Sequence, residues 1–245
     1  MDAQRKMIIF TRHGVRPEIN GEEQDSITLE SASRVYANMG LYLQQFAQPN
    51  SLTPAQTFFK HTEKRRTLHT GNVALARAFG LPMPIPTEDF AILIPGLNVA
   101  IDPRLDYKDF KYNEEALNRD TEGYLRDMIS APDAISYKGI EVTPFNMFVE
   151  GSKGLLQDSI RKLDLRGKSL GVLSTHAGNA ESIAIAALNS SRTSPIRSAD
   201  DIGGIFDREN YATLILDQKG KSGLYESRLG RDGINYAVNL QNLMR

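Results

Sequence analysis

The stretch KMIIFTRHG, residues 6–14, decides the fold, because a short apolar run here ends abruptly in charged and small residues. Four apolar residues in succession, from Met7 to Phe10, are typical of a strand that is buried on both faces of a sheet. Such a strand belongs to a parallel sheet that helices cover on both sides. Arg12 and His13 then lie where the strand ends, at the edge of the sheet that carries sites in α/β proteins.

Further strands and helices alternate along the chain after this first strand. The alternation predicts an α/β fold, a three-layer α/β/α sandwich with a mostly parallel central sheet and a small inserted lobe. The predicted strands cover residues 6–11, 57–60, 90–94, 169–174 and 211–216, with an edge hairpin formed by 224–229 and 235–238. The predicted helices cover residues 28–46, 65–79, 113–128, 144–163 and 180–188.

The segment 82–143 is less regular than the rest of the chain. It contains six prolines, and its apolar residues follow no sustained helical or alternating pattern. We therefore predict a single domain over residues 1–245, with a lobe inserted at about 82–143 that covers a site at the edge of the sheet.

The composition excludes several classes of protein. The 245 residues carry 29 Lys and Arg against 30 Asp and Glu, so the net charge of −1 gives no strong positive field for nucleic acid. The absence of cysteine excludes disulfides, thiolate metal sites and cysteine nucleophiles. No run of 18 apolar residues predicts a membrane span, and the run 7–10 is too short for a signal peptide. We predict a cytoplasmic protein, or a periplasmic or secreted one whose leader has been removed.

Unusual residues follow three of the predicted strands. They are Arg12-His13-Gly14-Val15-Arg16 after the first, Lys64-Arg65-Arg66-Thr67 after the second, and Thr175-His176-Ala177-Gly178-Asn179 after the strand at 169–174. Because the carboxyl ends of parallel strands meet at one edge, we expect two histidines and up to four arginines in one pocket. Such a cationic cluster repels itself in an empty site. It therefore predicts a strongly anionic ligand, and phosphate is the best match for forked guanidinium donors.

These motifs resemble those of a known family. Arg12-His13-Gly14 after a first strand resembles the signature of the histidine phosphatase superfamily. Residues 66–71, with the sequence RTLHTG, resemble the start of a helix in that family. Residues 175–178, with the sequence THAG, resemble the second histidine motif of its phosphoglycerate-mutase-like branch. The three motifs occur in the family's order, and the matching spacing runs from about residue 6 to residue 216.

The resemblance implies a mechanism of phosphoryl transfer. His13 would be the nucleophile and would form a phosphohistidine. Arg12, Arg66 and His176 would surround the three equatorial oxygens of the phosphoryl group as charge spreads over them. Arg16 would be a further phosphate ligand. Water would then cleave the phosphohistidine, so the resemblance implies neither a metal nor an organic cofactor.

The leaving oxygen needs a proton, and the sequence offers more than one donor. The phosphoglycerate-mutase-like branch usually has a Glu in a Leu-x-Glu segment, a position that Tyr107 occupies here. Asp106, one residue earlier, is our first choice for the general acid, and Asp109 is the second. The other branch has an acid directly after the second histidine, where Ala177 stands here and transfers no proton. Either Ala177 is a natural variant of the first branch, or it replaces an acid.

The sequence thus predicts a phosphomonoester hydrolase that acts through a phosphohistidine intermediate on His13. One alternative is a phosphotransferase of the phosphoglycerate mutase type. Another, from a different class, is a catalytically weak module that binds a phosphate ligand. The expected partner is a phosphorylated small molecule, with a phosphopeptide as an alternative, and neither nucleic acid nor a membrane is expected. The sequence predicts neither the leaving group nor the oligomeric state.

Overall fold

A central β-sheet with helices on both faces makes up the computed structural model of the protein. The described residues are 5–86, 94–106, 116–117, 119–165, 169–217, 219–227 and 234–244. Their strands are β1 (Lys6–Arg12), β2 (Glu18–Ile19), β3 (Glu22–Glu23), β4 (Thr57–His61), β5 (Asn98–Ile101), β6 (Ser136–Tyr137), β7 (Ile140–Glu141), β8 (Leu170–Thr175), β9 (Tyr211–Leu216), β10 (Ser222–Ser227) and β11 (Ile234–Asn239). Their α-helices are α1 (Leu29–Val35), α2 (Leu41–Ala47), α3 (Arg65–Ala78), α4 (Thr121–Ser130), α5 (Phe145–Leu165) and α6 (Asn179–Asn189).

The central sheet is mixed and mostly parallel. Within the described residues it has seven strands in the order β11-β10-β9-β1-β8-β4-β5. The strands β1, β8, β4 and β5 pair in parallel. On the other side of β1, the strands β9, β10 and β11 are joined by antiparallel pairing. The predicted α/β class is confirmed, and the predicted edge hairpin is present as β10 and β11.

The first strand shows why the sheet has a helical layer on each face. Successive side chains of a strand point to opposite faces. Ile8 and Phe10 join a core with α4, α5 and α6, whereas Met7 and Ile9 join a second core with α1, α2 and α3. All four side chains are fully buried. Because both faces of β1 are covered, its sequence is continuously apolar rather than alternating.

Two glycines leave room for aromatic rings of β4. A Cβ atom on Gly171 would lie 2.4 Å from Cζ of Phe58, and one on Gly71 would lie 2.2 Å from Cζ of Phe59. Phe58 belongs to the core beneath α4–α6, and Phe59 belongs to the core beneath α1–α3. Each ring therefore fills the space that a side chain would otherwise occupy.

The predicted helix over residues 28–46 is present as three segments. α1 continues through a π-helical turn, Tyr36–Gly40, into α2. Thr28 begins the helix, because its hydroxyl accepts a hydrogen bond of 3.1 Å from the backbone N–H of Ser31. Such N-terminal caps satisfy a donor that has no partner within the helix.

The segment 82–143 departs from its sequence-based description. β5 extends the central sheet from within this segment, although most of its residues are exposed. The helix predicted over residues 113–128 corresponds to α4, which begins after Asp120, whose side chain caps it through the N–H of Gly123 at 2.9 Å. The strand predicted at 90–94 lies largely outside the described residues. The inserted lobe stays a prediction.

Candidate active site

The three strand ends that carry the motifs lie side by side. β8 pairs with β1 on one side and with β4 on the other. Arg12 is opposite Thr175 in the register of β1 and β8. The N–H of His13 donates to the carbonyl of Thr175 at 2.9 Å, so the two strands stay paired up to the histidines. The rings of His13 and His176 then lie 5.1 Å apart, centroid to centroid, in an edge-to-face arrangement.

The ring of His13 is held in one tautomer. Its Nδ1 lies 2.7 Å from the carbonyl oxygen of Gly14. A carbonyl only accepts, so Nδ1 carries the proton and Nε2 keeps its lone pair. Burial lowers the pKa of His13 well below its ordinary value, and the nearby His176 and Arg66 lower it further. The imidazole is therefore neutral at physiological pH.

The backbone around Gly14 is fixed by two hydroxyls. The N–H of Gly14 donates to Oγ1 of Thr70 at 3.0 Å, and the N–H of Val15 donates to Oγ of Ser31 at 2.9 Å. A Cβ atom on Gly14 would lie 2.2 Å from that same Ser31 oxygen. Only glycine therefore fits beside His13 while this hydroxyl is bound.

His176 lies between a hydroxyl and a carboxylate. Its Nε2 is 3.3 Å from Oγ1 of Thr62 and 3.8 Å from Oδ1 of Asp106. Burial lowers the pKa of His176 well below its ordinary value, and the positive charges of Arg66 and Lys64 lower it further. Two uncharged imidazoles thus stand together in a positively charged surrounding.

The position of Asp106 is set by the backbone before it. The carbonyl of Leu105 accepts hydrogen bonds from Oγ1 of Thr175 at 2.7 Å and from Nδ2 of Asn179 at 2.9 Å. The N–H of Asp106 donates to the carbonyl of Pro103 at 3.0 Å. The end of β8 and the start of α6 therefore anchor the turn that brings Asp106 to His176.

An ion-pair network around the buried Lys60–Asp102 pair supports the same turn. Asp102 accepts from Nζ of Lys60 at 2.9 Å and from Nη2 of Arg104 at 2.8 Å. Burial alone would raise the pKa of Asp102, but the hydrogen bonds from Arg104 and Lys60 bring it well below its usual range. Arg104 also reaches Asp158 on α5 at 2.6 Å. The network connects β4, the turn and α5.

Two of the candidate phosphate ligands are paired with carboxylates. Nη1 of Arg66 lies 2.8 Å from Oδ1 of Asp25, and Arg16 forms an ion pair with Glu23. Carboxylates from the segment before α1 therefore balance part of the positive charge that the sequence predicted for this cluster. An incoming anion would compete with these carboxylates for the guanidinium groups.

Arg12 is held on the opposite side of the site. Its Nη1 donates to the carbonyl of Phe206 at 2.9 Å. Beneath it, the fully buried Glu181 accepts from the N–H of Phe206 at 2.8 Å and from the N–H of Gly178 at 2.5 Å. Burial raises the pKa of Glu181, and the charge of Arg12 opposes that rise. Glu181 joins the start of α6 to the loop before β9.

The structure brings most of the predicted site residues to one edge of the sheet. His13 and His176 are in ring contact, and Asp106 stands beside His176. Arg12, Arg16 and Arg66 are close enough to act electrostatically on the histidines. Ala177 is buried directly after His176. Asp109 lies outside the described residues.

Four supporting residues were not predicted from the sequence: Ser31, Thr62, Thr70 and Glu181. Thr70 had a local signal, because it follows Arg66 by four residues on α3 and its hydroxyl donates to the Arg66 carbonyl at 2.8 Å. Glu181 also had one, as the third residue of a helix that follows a glycine. Ser31 and Thr62 carry no pattern that distinguishes them from other hydroxyl residues.

Two further properties concern the described residues only. Among them, no group of three or more His, Asp or Glu side chains is arranged to hold a metal ion. None of the helices in the described ranges has both the length and the apolar character that crossing a membrane requires.

The similarity of this chain to known proteins lies in its fold. Neither a protein-family model nor a curated protein matches the sequence. A mycobacterial glucosyl-3-phosphoglycerate phosphatase matches with a TM-score of 0.52 and 15% identity, over 85% of this chain and 89% of its own. The same phosphatase in complex with VO3 matches with a TM-score of 0.52 and 14% identity, over 85% and 92%. Mycobacterial hydrolase 2 matches with a TM-score of 0.50 and 14% identity, over 86% and 82%. At identities of 14–15%, these matches show that the chain shares the α/β fold of these proteins.

Proposed function

We propose that the protein hydrolyses phosphomonoesters through a phosphohistidine on His13. The observation that carries the proposal is the hydrogen bond from Nδ1 of His13 to the Gly14 carbonyl at 2.7 Å. It leaves the Nε2 lone pair free to attack, and the lowered pKa keeps that nitrogen unprotonated. His61 makes a similar bond to the Thr62 carbonyl, but His13 also lies in ring contact with a second histidine and close to Arg66 and Arg12.

In the first step, Nε2 of His13 forms a bond to phosphorus while the bond from phosphorus to the leaving oxygen breaks. Negative charge spreads over the equatorial oxygens of the phosphoryl group. Arg12, Arg66 and His176 would stabilise that charge, with Arg16 as a further ligand, because forked guanidinium donors match phosphate oxygens. The Phe206 carbonyl and Asp25 hold Arg12 and Arg66 beside the histidines before substrate binds.

We assign the proton transfer to Asp106. In its acid form it would give a proton to the leaving oxygen, and as a carboxylate it would take one from the water that cleaves the phosphohistidine. The 3.8 Å separation between Oδ1 of Asp106 and Nε2 of His176 supports this role, because it places the carboxyl group beside a residue that would hold the phosphoryl group. Asp109 is the second choice, as the sequence indicated.

The cavity beside the arginine supports a phosphorylated small molecule as substrate. A cavity of about 540 Å³ adjoins Arg12, and polar and charged side chains, among them Arg126, Arg208 and Asn210, line it together with Gly203 and Gly204. This volume is within the usual range for small-molecule sites. We propose that a polar leaving group is bound on this side of Arg12.

The test is phosphate release from an aryl phosphate, measured across about pH 4 to 8. An aryl leaving group needs little protonation, so the assay isolates the nucleophile from the acid. We expect turnover in the parent chain and none in His13→Ala. His69→Gln is the matched control, because His69 is also buried but bonds to Ser26. Quenching with acid-free denaturant and mass analysis should then find the phosphoryl group on His13.

The alternatives give different results in the same assay. A phosphotransferase of the mutase type would move the phosphoryl group between substrate hydroxyls and release little phosphate to water. A binding module would bind vanadate tightly and release no product at any pH. Absence of turnover in the parent chain, or turnover that survives in His13→Ala, would overturn the proposed function.

A further inference from the structure

One peptide unit connects the candidate nucleophile to helix α1. The carbonyl of Gly14 accepts from Nδ1 of His13 at 2.7 Å, and the N–H of Val15 donates to Oγ of Ser31 at 2.9 Å. That carbonyl and that N–H belong to the same planar peptide bond, so they turn together. The group that binds the N–H therefore also fixes the acceptor of the histidine proton.

A carboxylate continues this chain of hydrogen bonds. The hydroxyl of Ser31 donates to Oε1 of Glu209 at 2.5 Å. Arg34 holds the same carboxylate with two bonds of 2.7 Å, from Nε to Oε2 and from Nη2 to Oε1. Ser31 is fully buried, and the side chain of Glu209 is only 13% exposed. Because the hydroxyl donates to Glu209, its lone pairs face the N–H of Val15.

The backbone holds Glu209 close to the end of β1. Glu209 has a φ of +71°, which few residues other than glycine adopt. The carbonyl of the next residue, Asn210, accepts from the N–H of Arg12 at 3.2 Å and from Oγ1 of Thr11 at 2.9 Å. An unusual backbone conformation thus places this carboxylate beside the strand that ends in His13.

We propose that Ser31 and Glu209 are positioning residues that hold His13 in its attacking tautomer through the Gly14–Val15 peptide. The proposal rests on the proposed function, because it assigns them a role for the same nucleophile. Gly14 has no Cβ to restrict its backbone, so this peptide rotates easily unless it is held. Once rotated, it leaves Nδ1 without an acceptor, the proton moves to Nε2, and the lone pair that attacks phosphorus is lost.

The first experiment reads the tautomer of His13 without any substrate. Long-range ¹⁵N–¹H correlation spectra distinguish a proton on Nδ1 from one on Nε2, and His13→Gln identifies the signals. The parent chain should show the Nδ1–H form above about pH 6.5. Ser31→Ala and Glu209→Gln should show a mixture that includes Nε2–H. Glu209→Gln keeps the size of the side chain, so it decides the question if Ser31→Ala does not fold.

The second experiment separates kcat from KM with the aryl phosphate. At metal sites, loss of a group that orients a histidine ligand costs about 10–100-fold in affinity or activity. We expect a fall of that size in kcat for both variants, with KM within about twofold, because the phosphate ligands are untouched. Two controls match the variants: Ser33→Ala, whose exposed hydroxyl bonds to the Leu29 carbonyl, and Glu30→Gln, which pairs with the same Arg34.

The outcomes separate this proposal from the proposed function. A parental tautomer and a parental kcat in both Ser31→Ala and Glu209→Gln would overturn the positioning role and leave the phosphatase intact. A shifted tautomer in a chain that never releases phosphate would support the positioning role and overturn the phosphatase. If kcat fell as much in Ser33→Ala or Glu30→Gln as in Ser31→Ala and Glu209→Gln, the positioning role would also be overturned. The fall would then result from any substitution in α1.

Discussion

Mild acid should destabilise this protein before its carboxylates titrate. The chain has four histidines, His13, His61, His69 and His176, and burial lowers the pKa of each. In the unfolded chain these side chains titrate near about 6.5. As the pH falls through that value, the unfolded state takes up protons that the native state does not. Stability that is present above about pH 6.5 is therefore lost below it.

His69 allows the magnitude to be worked out. Its ring is buried, with Nδ1 3.0 Å from Oγ of Ser26, and burial lowers its pKa to about 4. In the unfolded chain the pKa is about 6.5. Because of this difference, lowering the pH from about 7.5 to about 5 decreases the free energy of unfolding by about 2 kcal/mol. His13 and His176 act in the same direction. Glu181 acts in the opposite direction. Burial raises its pKa, so its contribution to stability increases as the pH falls toward the range in which carboxyl groups titrate. The loss from His69 alone is a sizeable share of the roughly 5–15 kcal/mol that holds a domain folded.

The assay is urea unfolding followed by circular dichroism at the two pH values, in buffers without phosphate, since a bound anion would stabilise the native state. The parent chain should be less stable at the lower pH. The variant His69→Gln should be less stable than the parent chain at both pH values, because it loses a buried hydrogen bond. The difference between its unfolding free energies at the two pH values should, however, be smaller than that of the parent chain by about 2 kcal/mol. An unchanged difference in His69→Gln, or equal stability of the parent chain at both pH values, would refute the reasoning.

Three further predictions concern single substitutions. Gly171→Ala places a Cβ atom 2.4 Å from Cζ of Phe58, and this overpacking should cost about 1–3 kcal/mol in urea unfolding; an unchanged midpoint would show that the ring moves aside freely. Lys60→Met removes a 2.9 Å bond to the buried Asp102 and should cost about 1–3 kcal/mol, whereas a gain in stability would mean that desolvation of the pair outweighs its attraction. Asp106→Asn should slow hydrolysis of an alkyl phosphate by about 10²–10⁴-fold and that of an aryl phosphate much less; equal effects on the two substrates would exclude it as the proton donor.

Much of the fold could be predicted because its signals are local. The apolar run of β1 is continuous since both faces of that strand are covered. The motifs at His13, Arg66 and His176 each follow a buried strand, and parallel pairing then brings them together. β5 was missed because it is an edge strand whose residues are largely exposed, so burial leaves little pattern in its sequence.

The charge balance of the site could not be predicted in the same way. Asp25 and Arg66 are far apart in sequence, and only the path of the loop before α1 brings them to 2.8 Å. Likewise, the hydroxyl of Ser31 is oriented by Glu209, which lies in a loop much later in the chain. Sequence patterns indicate which residues could act, whereas tertiary contacts of this kind decide how each one is oriented and neutralised.

The pairing of β1 with β8 has a consequence for how the proposed activity is acquired. The two strands are far apart along the polypeptide, yet the N–H of His13 bonds directly to the carbonyl of Thr175. Contacts between such distant segments form late, because a long loop must close first. A chain being synthesised therefore cannot assemble the histidine pair until β8 has emerged and docked. Recovery of turnover during refolding should then report the closure of the sheet's centre rather than the formation of its helices.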